Sequence, residues 1–245
     1  MTRLSVNVNK IALLRNSRDH GVPDPVQFAL DCERFGANGI TVHPRPDARH
    51  IRPDDVRGLR RAIRTELNIE GNPLEPSFMS LVLEVVPAQA TLVPDHPSQR
   101  TSDHGWDLDQ DGSKLKPMIQ ALRKAGIRVS LFVDPDPLRA EQAADLEVDA
   151  VELYTEAFAR GYDSGSDPMA CLAPYRKTYQ RALDRGLMVH AGHDLNLDNL
   201  PFLHEQLPLL HEVSIGHALV ADALYLGLEN TIRLYQRALH SRPSN

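Results

Sequence analysis

Residues 128–155 read RVSLFVDPDPLRAEQAADLEVDAVELYT, and this stretch decides the fold. RVSLFVD (128–134) is a β-type run of branched and aromatic side chains. Helical patterning follows at about 137–145, and AVELYT (150–155) is a second β-type run. Two strands joined through a helix pair in parallel, because parallel neighbours need a crossover connection.

The unit repeats in both directions. Upstream lie LSVNVN (4–9), GITVH (39–43), LNIEG (67–71) and ATLVP (90–94); downstream lie LMVHA (187–191) and HEVSIG (211–216). Helices are expected at about 25–35, 53–66, 75–84, 113–124, 168–186, 196–203 and 218–240. The first has Asp24 as N-cap, Pro25 at the first helical position and Gly36 at its end. The second opens with PDD (53–55) and carries its basic residues later, which suits the helix dipole. Two polar stretches interrupt the rhythm: DHPSQRTSDHGWDLDQDG (95–112), read as a long loop after strand 4, and GYDSGSDP (161–168), read as a polar connection.

Eight strands, each followed by a helix, in 245 residues give an α/β chain. The expected fold is a (β/α)8 TIM barrel over 1–245, one domain, with extra short helices and the long loop after strand 4. A doubly wound open sheet is the alternative, but it usually carries a glycine-rich phosphate turn after its first strand. VNVNKIALLRNSR (6–18) has none.

Composition excludes several functions. Net charge is −6, and Lys and Arg are spread along the chain with no basic stripe, so nucleic acid is not expected as a partner. No run of 18 apolar residues exists for a membrane span. MTRLSVNVNK (1–10) lacks the apolar region of a signal peptide, so the expected compartment is the cytoplasm. Cys32 and Cys171 make no metal or disulfide framework.

Barrel enzymes place catalytic groups at the carboxyl ends of their strands. Those ends here carry Asn7, Asn9 and Lys10 (strand 1), His43 and Arg45 (strand 2), Glu70 (strand 3), Glu152 (strand 6), His193 (strand 7), and Gly216 and His217 (strand 8). Singly, each has a bland explanation: a hydrogen-bonded histidine, a capping glutamate, a turn glycine. Charges inside an apolar barrel mouth cost several kcal/mol unless paired or used, so their convergence points to function. Glutamate and histidine together suit proton transfer near neutrality. Two histidines and a glutamate would equally bind a divalent metal, though no HxH or HExxH spacing is present. Phosphate is the natural substrate handle: IGHA (215–218) brings backbone N–H groups to a helix start, and Arg18, Arg45 and His50 add positive charge.

In order and spacing, VNVNKIALLRNSR (6–18), PDPVQFAL (23–30), GANGITVHPRPDARHI (36–51), LNIE (67–70), LVPD (92–95) with a following threonine, GIRVSLFVD (126–134), VELYT (151–155), AGHDLNLDN (191–199) and EVSIGHAL (212–219) together resemble the pyridoxine 5′-phosphate synthase family. The resemblance implies a barrel transferase of vitamin B6 (pyridoxine) biosynthesis with no cofactor and no metal. Such an enzyme condenses 3-amino-2-oxopropyl phosphate with 1-deoxy-D-xylulose 5-phosphate, giving pyridoxine 5′-phosphate, phosphate and water. It implies acid–base roles for His43, Glu70 and His193, and a stabilising role for Glu152. Asn7, Arg18, Gly216 and His217 would bind the amino ketone phosphate; Arg45, His50 and Thr101 would bind the deoxyxylulose phosphate. It also implies a mobile loop over 95–112 and a homo-octamer. The chain departs from the commoner pattern at Asn9-Lys10, where Asp-His is usual, and at Asp194, where glycine is usual. Lys10 would bind phosphate or form an imine with a ketone. Two rivals stay open: a metal-dependent phosphosugar aldolase or epimerase using His43, Glu70 and His193 as ligands, and a non-catalytic binder of phosphate ligands.

Overall fold

In the computed structural model, which describes residues 1–95 and 102–240, eight parallel strands close into a barrel in sequence order. They are β1 (Arg3–Asn7), β2 (Gly39–Val42), β3 (Glu66–Gly71), β4 (Gln89–Leu92), β5 (Arg128–Val133), β6 (Ala150–Tyr154), β7 (Met188–Gly192) and β8 (Glu212–Ile215). The seam closes where Arg3 of β1 registers with Glu212 of β8. Around it run α1 (Asn9–Asn16), α2 (Pro25–Phe35), α3 (Pro53–Ala62), α4 (Pro76–Val85), α5 (Leu108–Lys124), α6 (Pro137–Asp145), α7 (Glu156–Asp163), α8 (Pro168–Asp184), α9 (Leu200–Gln206), α10 (His217–Leu226) and α11 (Leu228–His240). None of the described helices is long and apolar enough to cross a membrane.

Asp-Pro pairs start three of these helices. Asp24, Asp136 and Asp167 each accept the backbone N–H two residues on, ahead of Pro25, Pro137 and Pro168. The carboxylate satisfies an orphan donor, and proline sets the first helical φ without wasting an N–H. Gly36 ends α2 at φ 108°, in the expected capping role.

The strands alternate between apolar and polar side chains. Leu4, Val6, Ile40, Val42, Ile69, Leu92, Leu131, Val151 and Val189 are buried in the apolar core with the helices. The positions between them are polar and buried: Ser5, Thr41, Asn68, Gln89, Thr91, Ser130, Glu152, His190 and Glu212. They meet across the barrel axis, as where Gln89 Nε2 of β4 lies 3.5 Å from His190 Nδ1 of β7. The interior is therefore a polar column inside an apolar sleeve.

Four expectations change in detail. Residues 9–16 are helix α1, not the end of a strand. Helix α5 starts at Leu108 with Asp107 as its cap, so the stretch read as a loop to 112 ends earlier. Within that stretch Trp106 is buried, donating from Nε1 to the Leu92 carbonyl at 2.9 Å. Helix α7 occupies the start of the connection read as polar and irregular.

The last expected helix is two. Gly227, at φ 78° and ψ 146°, breaks 218–240 between α10 and α11. Only glycine adopts that region without strain of about 1–3 kcal/mol. Gly227→Ala should lower unfolding stability by about that amount in a denaturant titration. A continuous helix would respond with the opposite sign, gaining about 1 kcal/mol.

Candidate active site

A cavity of about 660 Å³ opens at the carboxyl end of the strands. Of the expected site residues that the structure describes, all but one line it. Arg18 is exposed just past the end of α1 and does not line the cavity, and Thr101 lies outside the described residues. Lys10, Asp194 and His217 join the rim from α1, the turn after β7 and the start of α10. Arg49, Asp95, Ser102 and Phe132 also line it, and the sequence reading had not singled them out.

Helix α1 holds one wall. Its first residue, Asn9, takes a hydrogen bond on Oδ1 from the backbone N–H of His43 at 2.9 Å, and its own N–H donates to Asn7 Oδ1 at 3.0 Å. Asn16 Nδ2 donates to the His50 carbonyl at 2.8 Å and to Arg49's at 3.0 Å. Arg15, and not Arg18, is the buried arginine of this helix: its Nη2 donates to Asp55 Oδ2 at 2.9 Å and to the His50 carbonyl at 3.2 Å. The loop bearing Arg45, Arg49 and His50 is thus tied to α1 through its backbone. His50 Nδ1 accepts from the Ile51 N–H at 2.9 Å, which leaves its other ring nitrogen to face the cavity.

His43 sits between carboxyls. Glu70 Oε2 lies 3.9 Å from its Nδ1 and Asp95 Oδ2 lies 3.4 Å from its Nε2. Burial and then the Arg45 charge push His43 down to about 3, so the imidazole is neutral and these contacts are polar, not ionic. His50 is pushed down to about 3 for the same leading reason, with neighbouring His43 and Arg45 adding to it. Asn7 Nδ2 donates to Glu70 Oε2 at 3.3 Å.

The acids shift the other way. Burial raises Glu70 well above the carboxyl range, and repulsion from Glu152 and Asp95 adds to it. Glu152 is raised to about 8 by burial and by Glu212, which is itself buried and raised to about 7. A buried carboxyl that finds no cation keeps its proton. Gly192 makes room for Glu152, since a Cβ there would collide with Glu152 Oε1.

The turn after β7 is backbone-strained. His193 and Asp194 both adopt left-handed φ, at 85° and 59°. Thr155 Oγ1 donates to the carbonyls of Gly192 and His193 at 2.7 and 2.5 Å, and Asn199 Nδ2 to that of Asp194 at 3.2 Å. Aspartate tolerates this region better than most residues, which fits it where glycine is commoner. Asp194 Oδ2 lies 3.1 Å from His193 Nδ1, and that contact first, then charge, draws its carboxyl down. The edge of the His193 ring meets Tyr154 at 4.9 Å between centroids.

Gly216 precedes the ten-residue helix α10 and packs on Asn7, 3.1 Å from that residue's Cβ to where its own would be. Gly216, His217 and Ala218 line the cavity at the start of α10, and a helix start favours an anion. Among the described residues no three His, Cys, Asp or Glu side chains are placed to hold a metal ion.

Residues 4–241 match the family model described as pyridoxal phosphate biosynthesis protein PdxJ. A pyridoxine 5′-phosphate synthase of Porphyromonas gingivalis is 55% identical over 239 residues, covering 98% of this chain and 99% of the relative. One of Bacteroides fragilis is 54% identical, covering 98% and 100%. In fold alone, the chain resembles solved phosphoribosylanthranilate isomerases of Thermotoga maritima (TM-score 0.59, 15% identity, 99% of this chain and 100% of that one) and Thermus thermophilus (0.60, 18%, 98% and 100%).

The raised acids set a pH dependence. Glu152 binds its proton more tightly folded than unfolded, so its favourable contribution is whole below the ordinary carboxyl range and is lost as pH rises through about 8. Glu152→Gln cannot ionise. It should melt above wild type at about pH 9, with the gap closing at about pH 5. Thermal unfolding at both pH values checks this; a gap that widens toward low pH would refute it.

Proposed function

The chain belongs to the PdxJ family, and from that premise we propose that its cavity carries out the family's condensation with the residues placed above. Its reaction is that of the pyridoxine 5′-phosphate synthases it is similar to, joining 3-amino-2-oxopropyl phosphate to 1-deoxy-D-xylulose 5-phosphate with loss of phosphate and water. The assignment of residues is supported by one observation: His43, Glu70, Glu152 and His193 share a single cavity with Asn7, Gly216 and His217 and with Arg45, Arg49 and His50.

The condensation forms a carbon–nitrogen bond, expels water and phosphate, and closes a ring. Each step moves protons. Neutral His43 and the deprotonated form of Glu70 accept protons from carbons next to a carbonyl or imine. A carboxylate raised by burial is a stronger base than one in water. His193 donates a proton to a departing hydroxyl. Burial favours the protonated form of Glu152; a cationic imine beside it favours the carboxylate, which then stabilises that cation. The start of α10, with Asn7, Gly216 and His217, takes the phosphate of the amino ketone. Arg45 and His50 take that of the deoxyxylulose, with Arg49 beside them. Lys10 adds a cation to the same cavity, from the helix that departs from the commoner pattern. Arg18 and Thr101 keep the phosphate-binding roles the resemblance implies only as proposals, since Arg18 does not line the cavity and Thr101 lies outside the described residues.

On the same reading the chain, 1–245, works as one barrel domain in the cytoplasm, and copies assemble into an octamer. Free Cys32 and Cys171 suit a reducing compartment. Neighbouring helices α1 and α10 expose Leu13, Leu14, Leu224 and Tyr225, an apolar surface that suits contact between copies.

The test is incubation of purified protein with both phosphates and detection of pyridoxine 5′-phosphate by mass. Wild type should form it without added metal. Glu70→Gln should bind both substrates and form product at a rate lower by about a hundredfold or more. Near-normal turnover by Glu70→Gln would sink the assignment of that residue. Loss of wild-type activity with a chelator would favour the metal-dependent rival.

A further inference from the structure

One carboxylate oxygen in the cavity serves two neighbours. Asp95 Oδ2 accepts from Arg45 Nη1 at 2.6 Å and lies 3.4 Å from His43 Nε2. Asp95 is not a surface residue: it is 7% exposed, and its carbonyl accepts from Asn72 Nδ2 at 3.0 Å. A hydrogen bond from Ser102 also reaches its carboxyl. Its neighbours have different tasks in the reading above. Arg45 is the cation for a substrate phosphate, and His43 is a proton acceptor.

We propose that Asp95 is a positioning residue that couples phosphate binding at Arg45 to proton transfer at His43. This rests on the function given above and extends it to a residue with no assigned role. Asp95 holds the guanidinium, and the cation lies close enough to His43 to oppose a second positive charge there. Burial is the larger part of that opposition and the Arg45 charge the next. A phosphate that takes up Arg45 does two things. Its negative charge cancels the field of the guanidinium at His43, and it competes with Asp95 for the same N–H groups. Asp95 is then left facing His43 Nε2.

A carboxylate at Nε2 fixes the tautomer. The Nε2–H donates to Asp95, and the lone pair falls on Nδ1, on the side of Glu70 and the cavity. The proton taken from substrate goes to Nδ1, and Asp95 stabilises the resulting imidazolium, the logic of an acid–histidine pair. His43 thus becomes a competent base once the phosphate is seated. The other charges facing His43 are Asp47 and Arg49 of its own loop, Glu70 from β3 and the His50 ring at 6.2 Å; Lys10 of α1 lines the same cavity. Asp95 is set apart by touching both the base and the phosphate cation.

The experiment compares wild type, Asp95→Asn and Asp95→Glu. Calorimetry gives the Kd of 1-deoxy-D-xylulose 5-phosphate alone, and product formation gives kcat across pH. Asp95→Asn removes a competitor for Arg45, so the phosphate should bind a few-fold more tightly, by about twofold to fivefold. Its kcat should nevertheless fall by about tenfold to a hundredfold, and the acidic limb of kcat should move to lower pH. Asp95→Glu should recover part of the rate and move the limb back. Melting temperature is followed in parallel. An Asp95→Asn enzyme with wild-type kcat and an unmoved limb overturns the coupling. So does a variant that binds the phosphate more weakly, melts lower and keeps its pH profile, since that is a merely structural role. A wild type that makes no product overturns the function reading itself, and the coupling falls with it.

Discussion

The inside of a closed eight-stranded barrel has no water to spare for a charge. Every inward side chain must be paired, be neutral, or reach the open end. This chain places Ser5, Thr41, Asn68, Gln89, Thr91, Glu152, His190 and Glu212 there, and the same physical cost governs each. At the amino end the cost is met by pairing: Glu66 sits with both Arg3 and Arg128, and Arg128 also donates to Gln89 at 2.8 Å. Midway, hydroxyls and amides satisfy one another, as Ser5 with Thr41 at 2.7 Å and Thr91 with Asn68 at 3.0 Å. At the carboxyl end few cations are offered to Glu70 and Glu152, so the acids hold their protons and His43 loses its own. The cost of burial becomes chemistry: bases and acids whose proton affinities lie far from their values in water, waiting for a charged substrate to reset them.

The rest of the fold secures that end. Helix α1 ties the loop of Arg45 and His50 by its backbone through Arg15 and Asn16. Thr155 and Asn199 hold the strained turn of His193 and Asp194 by their carbonyls. Gly192 and Gly216 are bare where Glu152 and Asn7 press against the backbone. Supports that act through the backbone fix where the reactive groups stand, and a site whose groups are held in place before substrate arrives is preorganised for a charged intermediate.

Much of this was legible in the sequence. Eight alternations of strand and helix gave the barrel, and Asp24 with Pro25 and Gly36 gave the bounds of α2. Strand-end histidines and glutamates located the cavity, because strand ends and site coincide in this fold. What stayed hidden has physical reasons. Helix α1 begins within VNVNK, whose alternation continues a strand pattern, and only the turn at Val8 redirects it. Gly227 reads as a tolerated glycine in a helix until its φ is known. Asp95 was quoted within LVPD, yet its partners His43 and Arg45 lie about 50 residues away, a pairing that periodicity does not register. Arg15 lies within α1 and Arg18 just past its end, which is what separates a buried clamp from a solvent-facing charge. The polar column was visible as alternation, in NxE of β3 and SxN of β1, but a parallel barrel is usually expected to read as unbroken apolar runs.

Burial holds the acids in the barrel neutral until substrate arrives. Difference infrared spectroscopy in the carboxyl C=O region, wild type against Glu152→Gln at about pH 6, reads this directly. The expected result is a protonated-carboxyl band that the variant lacks and that wild type loses as pH rises through about 8. A wild type with no such band at about pH 6, and an ionised-carboxylate signal in its place, would contradict it.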